Sequence, residues 1–425
     1  MIDIFTVQKF SWFYFVLSFI LTIIPFLWVL KRPIREKLYI LPFVVFFFIY
    51  SGAGVAWEQC EKSYLFYYFI WMSFFSFTLN AIITKGGKLP TEGVISNNHI
   101  FIVKRATFFI LLYFLIKLLS LASAGKLHNL IAPPSLDIYS AFDGSGGDEG
   151  KGMLYYLENI VFVFYFVSLY KYRNNVGKLF VFLFFPFYIE YANSGYVARS
   201  TIMAFLIIYF VAIYFYNPNL RRKIRLSIII GLPFLVAFLA FYTYLRRGAE
   251  VDISTSDAIT LLAYQETSYP IHFLQIQKQP ENLDLLKDYS QWLITLPFPG
   301  FMKDTSKDYF FNAIFTERLY GIIRGTQGFY ILLPGIVNEG LFIFGKWLFP
   351  LHAIILAFFV GFAYRIVKYR EEFLLFLYIS YFLASLFARA GTVSTYPAYL
   401  KYLLVYEVFI WFVSLFRTSS KSKIV

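Results

Sequence analysis

YANSGYVARSTIMAFLIIYF, residues 191–210, sets a short polar segment that ends in Arg199 directly against an apolar run. A cation beside hydrocarbon is costly unless it has a partner. The run continues to about residue 216, and at 1.5 Å per residue an apolar helix of such length approaches the ~30 Å thickness of a bilayer core. The stretch therefore predicts a membrane-spanning helix with a cation at one end that needs a counter-charge.

The composition of the whole chain supports a membrane protein. Of its 425 residues, 59% are hydrophobic, 23% are aromatic and 15% are charged, which lies far outside the range of soluble domains. The first apolar run, residues 10–30, is too long for the apolar region of a secretory signal, so we expect it to remain as a span. The single cysteine, Cys60, excludes an internal disulfide and argues against a thiol metal site.

Long apolar runs recur along the chain and predict about eleven transmembrane helices. The predicted spans lie near residues 10–30, 38–56, 64–83, 106–123, 153–170, 179–192, 200–216, 226–245, 347–367, 373–389 and 402–416. We therefore expect an all-α polytopic membrane protein that forms a single integral membrane domain over residues 1–425. A large loop, residues 246–345, is inserted between spans 8 and 9 and is expected to hold short amphipathic and re-entrant helices.

The net charge of +13 is explained by where the basic residues lie. Lysines and arginines concentrate in every second loop, as in the loops around residues 31–37, 171–178 and 221–225. By the positive-inside rule these loops face the cytoplasm, which places the N-terminus outside and the C-terminus inside. No basic helix or stacking platform of a nucleic-acid-binding module is evident, so we expect no nucleic-acid partner.

Two outer segments are longer than simple turns. Residues 124–152 contain Asp143, Asp148 and Glu149 among glycines; they lack the ligand spacing of a calcium loop and indicate a solvated loop. Within the larger loop, DAITLLAYQETSYPIHFLQIQ, residues 257–277, has apolar residues at helical spacing and suits a helix on the bilayer surface.

Arginines set the outer side apart, because they occur there against the positive-inside trend. These are Arg199, Arg246, Arg247, Arg318, Arg324 and Arg389. A guanidinium group presents a rigid fork that binds phosphate oxygens in pairs, so a bound pyrophosphate would supply the missing counter-charge. The alternative for each arginine is snorkelling or a salt bridge to a loop carboxylate.

RGTQGFYILLPGIVNEGLFIFG, residues 324–345, combines five glycines with Pro334 in an apolar context. Such a run is predicted to dip into the membrane rather than to cross it, and non-helical backbone at that depth lines a cavity. Glu339 lies inside this run, where an ionised carboxylate is costly and is a functional candidate. The alternative role for Glu339 is that of counter-ion to the arginines.

Five segments together resemble the Wzy family of oligosaccharide repeat-unit polymerases, the branch that builds O-antigen and enterobacterial common antigen. They are SGYVARSTIMAFLI (194–207), YLRRGAE (244–250), LPFPGFMKD (296–304), the run of residues 324–345 and FARAG (387–391). The resemblance covers most of residues 180–400. Arg324 and Gly335 also fit the R-x10-G pattern of outer loops in these polymerases, whereas Phe210 stands eleven residues after Arg199, so a second copy is not evident.

The resemblance implies a metal-independent, inverting glycosyltransferase of the GT-C type in the bacterial inner membrane, with no cofactor. Such an enzyme moves a growing glycan from undecaprenyl pyrophosphate to a new lipid-linked repeat unit on the periplasmic face. Membrane lipids and a Wzz-like chain-length regulator are the other expected partners.

The expected roles divide between acid–base chemistry and anion binding. The acceptor hydroxyl needs a base, for which Glu339 is the first choice and Glu266 and His272 are the reserves. The arginines named above are expected to bind the pyrophosphate and the glycan. Tyr264 and Tyr320 are candidates for stacking on sugar rings, although tyrosines also gather at membrane interfaces for other reasons.

Two other functions share this sequence pattern. A ligase that transfers finished O-antigen to lipid A core has a similar architecture and differs in its acceptor. A flippase of lipid-linked sugar is the non-enzymatic alternative, and the sequence shows no paired inverted halves with matching broken helices to favour it.

Overall fold

The computed structural model describes residues 9–85, 102–134, 153–195, 197, 199–245, 255–279, 283–296, 311–324, 326, 331–367, 381 and 383–415. These residues are almost entirely helical and contain no β-strand; an isolated antiparallel bridge joins Phe10 to Trp57. Arg246, Arg247 and the acidic cluster near residue 148 lie outside the described residues.

The described helices follow the predicted apolar runs closely. They are α1 (Trp12–Ile23), α2 (Ile34–Phe47), α3 (Tyr64–Lys85), α4 (Ala106–Ser123), α5 (Met153–Ser168), α6 (Val176–Ser194), α7 (Arg199–Tyr216), α8 (Arg221–Leu245), α9 (Thr255–Thr267), α10 (Phe273–Lys278), α11 (Leu283–Thr295), α12 (Phe311–Tyr320), α13 (Ile336–Val367) and α14 (Leu383–Leu415). Short 3-10 or π turns extend several of them, notably Ile24–Lys31 after α1 and Phe48–Gly52 and Ala53–Ala56 after α2.

Five helical segments among the described residues are long and apolar enough to cross a membrane. They are Trp12–Lys31, Glu36–Ala56, Tyr64–Thr84, Ala106–Ser123 and Ile336–Arg365. The chain is thus an all-α membrane protein, while the full count of eleven spans remains a prediction. The described part of the predicted outer loop contains the short helices α9 to α12, and α13 begins near its end, at Ile336.

Two of the longest helices are broken at a glycine. Gly345 in α13 has φ 70° and ψ 179°, and Gly391 in α14 has φ 80° and ψ −174°. Only glycine adopts such backbone angles readily. The part of α13 before its break, residues 336–344, spans about 13 Å and is too short to cross a membrane.

The helix around the break in α14 differs from the predicted span boundaries. An interruption was expected between the spans ending at 389 and starting at 402, but the helix resumes at Thr392 and continues without a gap. Thr392 and Thr395 lower the local hydropathy, yet they form the first turn of the resumed helix, where the Thr395 hydroxyl donates to Gly391 O at 2.8 Å.

The chain divides into two compact units. Unit 1 consists of Met1–Gly87, Ile228–Arg365 and Ser380–Pro397. Its core is aromatic: the rings of Trp71 and Phe75 stack at 5.5 Å, and the buried Tyr39 hydroxyl donates to Val360 O at 2.8 Å, which joins α2 to α13.

Unit 2 consists of Lys88–Ser227, Ile366–Ile379 and Ala398–Val425. Its helices α4, α5 and α6 pack through large side chains, with Tyr113 and Tyr165 stacked at 4.3 Å. Phe409 of α14 lies 4.2 Å from Phe164 of α5 between ring centroids. Arg199 begins α7 in this unit, after the left-handed Gly195 (φ 70°) that ends α6.

Candidate functional site

Glu339 is buried at the point where the two broken helices of unit 1 meet. Its side chain is 2% exposed. One carboxylate oxygen, Oε2, accepts from the backbone N–H of Thr392 at 2.6 Å, and the other, Oε1, accepts from that of Val393 at 3.2 Å. These N–H groups begin the second part of α14, where the helix dipole favours an anion. Glu339 therefore caps a helix that starts inside the protein.

Gly391 makes this close approach possible. A Cβ atom at position 391 would lie 2.5 Å from the Glu339 carboxylate, far inside van der Waals contact. The same residue supplies the backbone angles that turn the two N–H groups towards the carboxylate. Both its missing side chain and its conformation are needed at this position.

His352 completes the environment of Glu339. Its Nε2 lies 3.1 Å from Glu339 Oε2, and its Nδ1 lies 3.3 Å from the indole nitrogen of Trp71. Because an indole N–H can only donate, Nδ1 is the acceptor and the imidazole proton of a neutral ring resides on Nε2, which donates to Glu339. Both ring nitrogens are engaged, so His352 orients the carboxylate and is itself held by α3.

The Glu339 carboxylate thus accepts three hydrogen bonds, and its partners among the described residues include no guanidinium. Two roles are predicted for Glu339 from the sequence: that of a base and that of a counter-ion to the arginines. The geometry adds a third, that of an internal anchor that fixes the breaks in α13 and α14 to each other. A base must reach a substrate proton, and this carboxylate is enclosed.

A second cluster surrounds the hydroxyl of Tyr50, in the turn that follows α2. The Tyr50 hydroxyl lies near the side chains of Glu266 and Ser385, and the charges of Glu266 and Arg389 act on it. Glu266 lies in the last turn of α9, whereas Ser385 and Arg389 are four residues apart and share one face of α14. Glu266 and Arg389 are both half-buried. Two sequence candidates, a carboxylate and a guanidinium, are thereby brought to one place.

Backbone contacts hold this cluster in position. Arg389 O accepts from the N–H of Gly335 at 3.1 Å, which ties the end of the first part of α14 to the start of α13. The Tyr269 ring packs edge-on against Tyr50 at 5.5 Å, and a Cβ atom on Gly335 would lie 3.1 Å from that of Tyr269. Gly335 (φ 74°) is the glycine of the R-x10-G pattern.

The third group is the pair His272 and Tyr320. His272 Nδ1 hydrogen-bonds the Tyr320 hydroxyl, and the ring packs edge-on against Phe315 at 5.5 Å. Burial lowers the pKa of His272 from its usual 6.5 to about 4, so the ring is neutral at neutral pH. Such a low pKa makes the imidazole a weak general base under those conditions.

The other described residues that the sequence predicts for the site have partners or positions of their own. Arg324 pairs with Glu317, with Nε 3.4 Å from Oε1 and its backbone N–H donating to the same oxygen at 3.0 Å. The Tyr264 hydroxyl donates to Gln59 Oε1 at 2.8 Å, and its ring packs against Trp57. Arg318 lines a small cavity of unit 1. Arg199 is placed at the start of α7 in unit 2.

Several residues of these clusters are not predicted from the sequence. His352 lies within an apolar run that predicts a span, and a histidine inside such a run was the available signal. Tyr50 and Ser385 resemble many other tyrosines and serines in the chain and carry no distinguishing pattern. In the described part of the chain, no group of three or more His, Cys, Asp and Glu side chains is placed to hold a metal ion.

Comparison of the chain with models of known protein families, with curated proteins and with solved structures found no match.

Proposed function

We propose that the protein is a membrane glycosyltransferase that polymerises undecaprenyl-pyrophosphate-linked repeat units into a surface polysaccharide. The proposal includes about eleven spans in a GT-C-like arrangement, a location in the bacterial inner membrane and a large loop on the periplasmic face. The observation that carries it is the meeting of Glu266 and Arg389 at the Tyr50 hydroxyl, beside the Gly335 of the R-x10-G pattern.

In the proposed reaction, Glu266 is the general base. It is half-buried, so an acceptor sugar can reach it while water is partly excluded. As the acceptor oxygen forms a bond to the anomeric carbon of the donor, its proton passes to the Glu266 carboxylate. The bond from that carbon to the pyrophosphate oxygen breaks, and the electron pair leaves with the lipid pyrophosphate, which inverts the anomeric centre.

Arg389 is proposed to stabilise the charge that develops on the leaving pyrophosphate. A preorganised guanidinium is well suited to this task because it does not need to reorient during the reaction. Glu339 and His352 then act as positioning residues: they fix the break at Gly391 and so the direction in which Arg389 leaves α14. Arg199, Arg246, Arg247 and Arg324 remain candidates for contacts to the phosphates and glycan.

The test is an assay of purified protein with a single synthetic undecaprenyl-pyrophosphate-linked repeat unit. A ladder of longer lipid-linked products supports the proposal. Transfer only to lipid A core means a ligase, and movement between leaflets without new bonds means a flippase. Activity should persist in excess chelator, and turnover that requires added magnesium or manganese would contradict the proposed metal-independent chemistry.

A further inference from the structure

A small cavity in unit 1 is separate in its lining from the cluster around Tyr50. It has a volume of about 70 Å³ and forms where α10, α11, α12 and α13 come together. Its floor is apolar, with Phe273, Leu285 and Leu341 among the buried lining residues. Gln277 and Gln279 also line the cavity, and the Gln279 carboxamide donates to Arg318 O at 3.2 Å.

The cavity has a positive rim. Arg318 and Lys346 both line it, both are exposed, and no lining residue is acidic. The neighbouring carboxylate, Glu317, is occupied by Arg324. Neither Arg318 nor Lys346 forms an ion pair with another described residue. Two cations above an apolar floor favour an anionic ligand that also carries hydrocarbon.

The position of Lys346 places this rim at a membrane surface. Lys346 directly follows the break at Gly345 and begins the part of α13 that is long enough to span. The next residue, Trp347, is 85% exposed, and Leu348 and Leu351 are exposed as well. A lysine and a tryptophan at the end of an apolar helix mark the level of the lipid headgroups.

We infer that this cavity binds the phosphate of an anionic membrane phospholipid. Arg318 and Lys346 contact the phosphate oxygens, and Gln277 and Gln279 bond to hydroxyls of the headgroup. The glycerol backbone and first methylene groups cover the apolar floor. A soluble glycan would leave that floor exposed to water, so the lining favours a lipid. This site does not depend on the proposed polymerase function.

The experiment uses the full chain in nanodiscs of phosphatidylcholine with a minority of phosphatidylglycerol. Native mass spectrometry counts the lipids that remain bound. We expect phosphatidylglycerol to be retained, and its binding to be about thirtyfold weaker when Arg318→Gln and Lys346→Gln are combined, since each cation near a membrane surface contributes about 1 kcal/mol. Lys278→Gln is the matched control, because Lys278 is exposed nearby but does not line the cavity.

Three results would overturn the inference. The first is equal retention of both lipids, and the second is unchanged phosphatidylglycerol binding in the double variant with an unaltered melting temperature. The third is displacement of the bound lipid by polyprenyl pyrophosphate or by inorganic phosphate alone, which would assign the cavity to a substrate or a free anion. Each readout is a binding measurement, so a failed polymerisation assay leaves this test intact.

Discussion

Each unit buries a charge, and the two charges are satisfied differently. In unit 1 the Glu339 carboxylate is held by two backbone N–H groups and by Nε2 of His352. In unit 2 the Lys117 ammonium of α4 lies 2.7 Å from Glu158 Oε1 and 2.8 Å from Glu190 Oε2, and the lysine side chain is 11% exposed. The first arrangement uses the fixed dipoles of a broken helix, whereas the second uses side chains from α5 and α6.

This difference determines which of the two charged side chains can be replaced by an uncharged one without a large loss of stability. Side-chain partners can be neutralised together, so a buried ion cluster can be exchanged for uncharged groups at little cost. Backbone N–H groups cannot be removed, so an anion at a broken helix has no simple substitute. Unit 1 therefore depends on Glu339 for its backbone geometry, while unit 2 depends on Lys117 only as long as both glutamates are present.

The largest effect is expected for Gly391→Ala. The added Cβ meets the Glu339 carboxylate and also forces an alanine into backbone angles reserved for glycine, so we expect a loss of about 4 kcal/mol in unfolding free energy or a failure to accumulate. Gly125→Ala is the matched control: Gly125 has φ 70° but open space around it, and its substitution should cost about 1 kcal/mol. Thermal unfolding in one detergent compares them; equal losses would contradict the role given to Gly391.

Glu339→Gln is expected to lower the unfolding free energy by about 3 kcal/mol. The amide keeps one acceptor oxygen, but its NH2 group replaces the other oxygen and then faces an N–H donor. Adding His352→Phe should not restore stability, since the N–H groups of Thr392 and Val393 remain. Glu317→Gln makes the same chemical change at an exposed ion pair, where we expect less than about 1 kcal/mol. If Glu339→Gln melts at nearly the same temperature as Glu317→Gln, Glu339 does not act as an anchor.

Lys117→Met is expected to cost about 2 kcal/mol, since it leaves two carboxylates facing each other without their cation. Adding Glu158→Gln and Glu190→Gln should recover most of this loss. Unit 2 would then differ from unit 1, where no such recovery is expected. If the triple variant melts as early as Lys117→Met alone, the comparison between the two units fails.

The smallest effect concerns His272, whose pKa is lowered to about 4 in the folded protein. Between about pH 6.5 and pH 4 the unfolded chain binds a proton there that the folded protein does not, so stability falls as the pH is lowered through this window. From these pKa values we expect a loss of at most about 2 kcal/mol at pH 5. The loss of melting temperature from pH 7 to pH 5 should shrink in His272→Gln; an identical loss would show that His272 is not the titrating group.

The helices of this protein were largely predictable from sequence, for a physical reason. A membrane span needs a long apolar run, and that requirement is local. Within the glycine-rich run of residues 324–345 the structure contains a short helix that ends at the break at Gly345, and the re-entrant position of this run in a membrane stays a prediction. Glu339 stood out for the same reason, as a carboxylate in an apolar context.

The partners of the buried charges were not predictable, because they are distant in sequence. Thr392 is more than fifty residues from Glu339, and its contribution is a backbone N–H that every residue type except proline carries. Lys117, Glu158 and Glu190 lie within predicted spans, and their sequence pattern does not predict that they form an ion cluster. The polar residues after Gly391 indicated a loop by hydropathy, whereas in the structure they begin a helix capped by Glu339.

The central claim is that Glu266 reacts while Glu339 only positions, and a kinetic comparison tests it most directly. Chain extension of a lipid-linked repeat unit is measured for Glu266→Gln and Glu339→Gln, with lipid binding and the folded fraction determined on the same samples. The account predicts that Glu266→Gln binds substrate normally and loses kcat by at least about a hundredfold, whereas Glu339→Gln loses activity in proportion to its folded fraction and through a raised KM. Normal extension by Glu266→Gln, with a fully folded Glu339→Gln that binds but does not extend, would contradict it.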